Sequence, residues 1–183
     1  MTAGTVDWYA LADDFSGAAE IAGIAVAHGV AVEVRTLSGD EVQLAFDPPL
    51  AAQTLPPVAR SACSPLPSPL RPTSTPSPNP PPAGPRLVVI DTATRSLSGD
   101  EAQRIVGLCA RRLAQLGRPW FKKIDSVLRG RVLAEARAVA AAGARVIIAP
   151  ANPSRGRTIA SGIYYVGGRP LDATLFASDP EHP

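Results

Sequence analysis

Short apolar runs alternate along this chain with longer stretches of helical period. Val6 to Leu11 is an apolar run of strand length. Ala19 to His28 then reads as helix, with Ile21, Ile24 and Ala25 on one face and Gly29 placed to stop it. Val30 to Val34 is rich in β-branched residues and predicts a second strand, and Val42 to Phe46 a third, short one. Leu87 to Ile90 resumes the strand-like pattern. Ser98 and Glu101 have capping-box spacing, and Ala102, Ile105, Val106, Cys109, Leu113 and Leu116 keep the helical period until Gly117 and Pro119 close it. A further apolar run ends at Ile124. Arg131 to Ala142 predicts another helix, Arg145 to Ala149 another buried strand, and Tyr164 to Leu171, around Gly167-Gly168, a hairpin-like excursion.

Helices joining short apolar strands imply an α/β fold: a mostly parallel sheet with crossover helices on both faces. A proline-rich loop interrupts it. Residues 48–85 hold 14 of the 20 prolines, with Ser, Thr and Ala between them, so neither helix nor central strand is expected there. Pro65 to Pro82 reads as a polyproline-II-like or disordered loop, and any PxxP pattern in it arises by chance at this proline content. The 183 residues suit one domain, 1–183, with 48–85 as an irregular insertion.

Composition narrows the function classes. A net charge of +2 from dispersed Lys and Arg argues against a nucleic-acid partner. Cys63 lies among prolines and Cys109 on the apolar side of a helix, so both read as free thiols of a reducing compartment. No stretch reaches membrane-spanning length without a charge or a glycine, and residues 1–7 lack a basic n-region before an apolar run. The expected location is the cytoplasm, and no membrane partner is expected.

Parallel strands change what the polar residues mean. Asp13 and Asp14, Asp91 to Arg95, Lys122 to Arg129 and Pro150 to Arg157 all follow strands directly, so they converge on the carboxyl edge of the sheet, where open α/β folds bind ligands. Arg and Lys suit carboxylate or phosphate, and Asp and Ser suit hydroxyl groups, so the cluster fits a small anionic, hydroxylated substrate in a positive pocket. Alternatives stay open at single positions. Either aspartate can cap the next helix, hold a metal or act as a base, and Arg95 can pair with Asp91 instead of a ligand. Lys122 and Lys123 point opposite ways in a strand, leaving one of them to solvent. No metal constellation is present, since His28 and His182 are far apart in the chain, and neither a P-loop nor a G-x-G-x-x-G pattern occurs.

The motifs also carry a resemblance. Ala12-Asp13-Asp14-Phe15-Ser16-Gly17-Ala18, Asp91-Thr92-Ala93-Thr94-Arg95-Ser96-Leu97, the run from Lys122 to Gly130, and Ala149-Pro150-Ala151-Asn152-Pro153 occur in order. Gly156-Arg157-Thr158, Tyr165-Val166-x-Gly168-x-Pro170-Leu171 and Phe176-Ala177-x-Asp179-Pro180 follow. Together they resemble the N-terminal, sugar-acid-binding domain of the four-carbon acid sugar kinases (threonate, erythronate and 2-oxo-tetronate kinases). The resemblance implies ATP- and Mg-dependent phosphorylation of a sugar-acid hydroxyl. Asp14, Lys122 and Asp125 would carry catalysis, and Asp13, Asp91, Thr92, Thr94, Arg95, Lys123, Ser126 and Arg129 would bind substrate; which of Asp13 and Asp14 is the base stays open. Val127 stands where the family usually has Thr, and Arg131 where it has Asn. The family's nucleotide-binding C-terminal domain has no counterpart here. The expectation is therefore the substrate-binding half of a split kinase, its partner a separate nucleotide domain, or else a truncated product or a non-catalytic sugar-acid binder.

Overall fold

The computed structural model describes residues 7–37, Val42, Phe46 and 85–180. The interior of the predicted Val42 to Phe46 strand, the insertion from 48 to 84, Cys63 and His182 lie outside the described residues, although Val42 and Phe46 are both buried.

Four strands form the main sheet: β1 (Trp8–Ala12), β2 (Ala31–Thr36), β3 (Arg86–Asp91) and β4 (Trp120–Lys122), in the order β2-β3-β1-β4. Every pair is parallel, as the crossover pattern requires. The two-residue alternation of β1 sorts its side chains onto two layers. Ala10 and Ala12 pack with Ala18 and Ile21 of α1 (Phe15–Ala27) on one face. Tyr9 and Leu11 pack with Val106, Cys109 and Leu113 of α2 (Gly99–Leu116) and Val139 of α3 (Val132–Ala141) on the other. Helices thus cover both faces, and the small alanines of β1 let α1 lie close to the sheet.

The helix ends follow local chemistry. The Ser98/Glu101 capping box is present, and Gly117 ends α2 with φ 62°, a left-handed conformation that favours glycine. Helix α1 starts at Phe15 rather than Ala19, because the Asp14 carboxylate accepts the Gly17 N–H and nucleates the helix directly after β1. Burial drives the Cys109 thiol up to about 12, so it is inert packing. Among the described residues no helix is long and apolar enough to cross a membrane.

One predicted element did not form. Residues 144–149 belong to no strand, and Val146, Ile147 and Ile148 are 39%, 92% and 45% exposed. The composition suits a buried strand, but a strand needs a paired neighbour. Sheet order ends at β4, and nothing hydrogen-bonds across from it to this stretch. The hairpin-like excursion, by contrast, is a small antiparallel sheet of β5 (Arg157–Ala160), β6 (Ile163–Val166) and β7 (Arg169–Pro170). Gly167 and Gly168 both have positive φ, which a tight two-residue hairpin demands. This sheet packs on the main domain through Tyr164, Leu171 and Val127.

Candidate functional site

The loops after β1, β3 and β4 meet at the carboxyl edge and form one ionic network centred on Arg95. Its Nε donates to Asp13 Oδ2 at 2.9 Å and its Nη1 to Asp14 Oδ2 at 2.6 Å, while Nη2 lies 3.9 Å from Asp125 Oδ1. Burial alone would lower the Arg95 pKa, but the neighbouring carboxylates of Asp13, Asp14 and Asp125 outweigh it and raise the value, so Arg95 stays charged. Asp91 does not pair with Arg95. Its carboxylate accepts the Ala93 N–H at 2.9 Å, and burial is the main cause that raises its pKa, with a smaller contribution from Asp14 and Asp13.

Asp125 is the most strongly held acid of the site. It accepts Arg129 Nε at 3.1 Å, Arg129 Nη2 at 3.0 Å, and the backbone N–H groups of Val127 and Arg129. Burial pushes its pKa up, but these four donors prevail and hold it at about 2. A carboxyl whose folded value is depressed stabilises the fold above its ordinary value and loses that contribution as the proton returns. Asp125→Asn is therefore expected to flatten the acid limb of a pH-stability curve between 3.8 and about 2, leaving other limbs unchanged. An unchanged acid limb in urea melts across that window would count against this account.

Two turns hold non-glycine residues in left-handed backbone, Ala93 at φ 50° and Leu128 at φ 65°, a conformation that costs about 1–2 kcal/mol per residue. Both lie in the strand-to-helix loops that carry the network, where strain tends to concentrate. Gly130, at φ 82°, allows the third loop to close: a Cβ there would stand 3.3 Å from Asp13 Oδ2 and 3.6 Å from the Arg95 Cα.

Asp13, Asp14, Arg95, Asp125 and Arg129 are thus brought together as the sequence implied, and Asp91 lies beside them without an ion pair to Arg95. The other candidates are not in that network. Lys122 faces Leu11 in the register, so its side chain enters the α2/α3 layer, where Nζ meets Glu135 Oε2 at 2.9 Å. Thr94 donates to Glu135 at 2.5 Å, and Thr92, 2.9 Å from Thr94, donates to the Ala12 carbonyl. Thr92 and Thr94 therefore support the turn from below. Lys123 pairs with Glu20 at 3.2 Å, on the margin of the site. Ser126 accepts Arg157 Nη1, and its carbonyl, with that of Pro150, accepts the Tyr164 hydroxyl.

This corrects the expectation of a positive pocket. Arg95, Arg129, Lys122 and Lys123 all have carboxylate partners, because the same strand ends that supply the cations also supply acids. Neither lysine is simply left to solvent. The Thr-to-Val departure is harmless to the network, since Val127 is 1% exposed and packs with Tyr164 and Leu171. Arg131, where Asn is usual, donates Nε to the Leu97 carbonyl and ties two loops together.

Glu135, Arg157 and Tyr164 were missed. Glu135 had a readable signal: with Ala138 and Val139 it occupies positions i, i+3 and i+4 of the buried face of α3, and a lone acid on such a face needs a cation. Arg157 lay at the end of a loop already grouped with the carboxyl edge and within the Gly156-Arg157-Thr158 motif, but its partner Ser126, like those of Tyr164, comes from across the fold.

The network leaves one acceptor unfilled. Asp14 has both oxygens engaged, Oδ1 by the Gly17 N–H and Oδ2 by Ser16 and Arg95. Asp13 is 2% exposed, and its Oδ1 has no hydrogen-bond partner. A buried carboxylate oxygen is costly to leave bare and is suited to accept from a hydroxyl. Among the described residues no group of three His, Cys, Asp or Glu is placed to hold a metal ion.

A parallel α/β sheet with carboxylates and guanidinium groups gathered at its carboxyl edge has the arrangement of an α/β ligand-binding domain. The comparisons agree. The family model for the sugar-binding N-terminal domain matches residues 8–183, and the chain belongs to that family. It is 37% identical over 101 residues to a D-threonate kinase of Bordetella bronchiseptica and 39% over 108 residues to one of Salmonella typhimurium. Each alignment covers 53% of this chain but only 25% and 24% of those relatives, so the chain spans about a quarter of their length. A crystal structure from Bordetella bronchiseptica, described as a domain of unknown function with bound citrate and as a domain-swapped dimer, shares the fold with a TM-score of 0.65 at 28% identity, over 97% of this chain and 37% of that one. One from Haemophilus influenzae, at 21% identity and a TM-score of 0.61, covers 96% of this chain and 35% of its own, and supports the fold alone.

Proposed function

We propose that the chain is the substrate-binding part of an ATP-dependent kinase that phosphorylates a hydroxyl of a four-carbon sugar acid, of the threonate, erythronate or 2-oxo-tetronate type. The observation that carries this reading is the unfilled Asp13 Oδ1 at the heart of the carboxyl-edge network, in a chain of the sugar-binding family. D-threonate kinase relatives supply the substrate class, and the citrate-bound neighbour fits a small hydroxy-acid ligand.

In this reading Asp13 accepts the reacting hydroxyl's hydrogen and serves as the base, while Asp14 positions Arg95 and caps α1. The catalytic role that the resemblance implies for Asp14 thus passes to Asp13. The ligand carboxylate lies against Arg129 and Lys123, whose side chains remain 31% and 24% exposed at the rim. Their existing partners temper the preference for an anion. Among the described residues nothing matches a nucleotide-phosphate loop or a magnesium cluster, so ATP and Mg are assigned to a separate nucleotide-binding portion, and no step is routed through them here. The same observation favours a second reading, a sugar-acid binder without catalysis.

Calorimetry with threonate and its neutral analogue threitol tests the substrate class. One retained charge-assisted hydrogen bond, about 1.4 kcal/mol, makes threonate bind roughly tenfold more tightly. Equal affinities would exclude a sugar acid as the ligand. Activity that appears only when a nucleotide-binding portion is added separates the kinase from the simple binder, whereas robust turnover by residues 1–183 alone would refute the assignment of ATP to another portion.

A further inference from the structure

The Ser126 hydroxyl and the Arg157 guanidinium meet where the second sheet packs on the loop after β4. Arg157 opens β5 opposite Val166, and its backbone is fixed in both directions. Its N–H donates to the Asn152 carbonyl at 3.0 Å, and its own carbonyl accepts the Asn152 N–H at 2.8 Å. Ser126 is held from the other side, since its carbonyl accepts the Tyr164 hydroxyl. That hydroxyl lies close to two charges of the site: burial raises its pKa, Arg157 opposes the rise and Asp125 adds to it. Arg157 therefore stands beside Asp125 on a hydrogen-bonded hairpin, with its side chain half-buried.

Its charge is not compensated. Arg95, Arg129, Lys122 and Lys123 all face carboxylates, whereas among the described residues the Arg157 side chain reaches only the neutral Ser126 hydroxyl. A guanidinium carries five N–H donors, and a hydroxyl that accepts from one of them keeps its own hydrogen to donate. The pair thus presents N–H and O–H donors around a full positive charge, the complement of an oxyanion. We propose that Arg157 and the Ser126 hydroxyl form a phosphate subsite at the carboxyl edge. On the kinase reading above, on which the identity of its ligand rests, it holds the phosphate of the phosphorylated sugar acid. The carboxylate stays with Arg129 and Lys123. Lys123 leans toward Glu20 on α1, whereas Arg157 enters from the second sheet, so the two anionic groups of the product have separate places.

Calorimetry on the intact chain with inorganic phosphate and, separately, with threonate tests this. The parent should bind phosphate, and Arg157→Gln should weaken that binding by about tenfold or more, the loss of one charge-assisted contact. The same variant should leave threonate affinity within about twofold of the parent, because the carboxylate lies elsewhere. Arg155→Gln removes an equal charge at an exposed residue of the same loop, and should change neither affinity. Ser126→Ala is the second variant, in case Arg157→Gln melts early. It keeps the carbonyl that Tyr164 uses and should weaken phosphate about threefold, with threonate unchanged. A parent that takes up no phosphate overturns the proposal, as does a phosphate affinity indifferent to Arg157→Gln and Ser126→Ala. An equal loss in Arg155→Gln overturns it too, by showing general charge attraction instead of a subsite. Threonate weakened as far as phosphate would make Arg157 the partner of the carboxylate and end the assignment to phosphate. The two readings fail separately: equal binding of threonate and threitol removes the sugar acid, while phosphate binding that needs Arg157 still supports the subsite.

Discussion

Glu135→Ala is expected to destabilise the protein by about 3–5 kcal/mol, because it strands Lys122 as an unpaired charge in the layer beneath α3. The two side chains are 2% and 10% exposed, so water does not replace the lost partner. Thr94 loses its acceptor in the same substitution, and with it the support under the turn that carries Arg95. For a chain of this length the loss corresponds to a fall in melting temperature on the order of 10 °C. Equilibrium urea unfolding measures it. The double variant Lys122→Met, Glu135→Leu should recover most of the loss, since an apolar pair of similar volume is often as stable as a buried ion pair. A cost below about 1 kcal/mol for Glu135→Ala would show the pair to be solvated, as surface ion pairs are.

Asp13→Asn is expected to lower turnover at least a hundredfold in a system completed with a nucleotide-binding portion, the loss expected when a positioned base goes. Asparagine keeps the shape of the side chain and an acceptor oxygen but cannot take a proton, so the effect should fall on kcat more than on KM. Asp14→Asn is the comparison. It keeps an N-cap of equal quality and leaves Arg95 paired with Asp13, so turnover should stay within about tenfold of the parent. The reverse ranking would return the role of base to Asp14. A parallel melt guards against misreading: Asp13→Asn also weakens the contact with Arg95 Nε, and a large stability loss would make the kinetic result structural.

Much of the site was legible because it depends on position along strands. A parallel sheet delivers the residue after each strand to one edge, so Asp13, Asp91 and Asp125 could be grouped from their places in the sequence alone. What each does there was not legible. Whether Asp13 or Asp14 is engaged depends on where Arg95 arrives from a strand about eighty positions later, and hydrogen-bond saturation is a property of the assembled loops. The supposed positive pocket failed for the same reason: formal charges can be counted along a chain, but their pairing needs distances.

By itself the sequence determined the local choices, for which periodicity, capping and turn chemistry are sufficient causes. These are the helix of 99–116 with its Ser98/Glu101 box, the glycine stop at Gly117, the Gly167-Gly168 hairpin, and the alternation of β1 that demands a helix layer on each side. The tertiary structure alone decided which apolar runs become strands and which charges meet. Residues 145–149 have the composition of a strand yet remain unpaired, because strand formation needs a neighbour's backbone as well as its own residues. Lys122 and Glu135, thirteen positions apart, find each other because register places Lys122 on the face that α3 covers. A side chain's period is written in its near neighbours, whereas its partner is set by the packing of the whole chain.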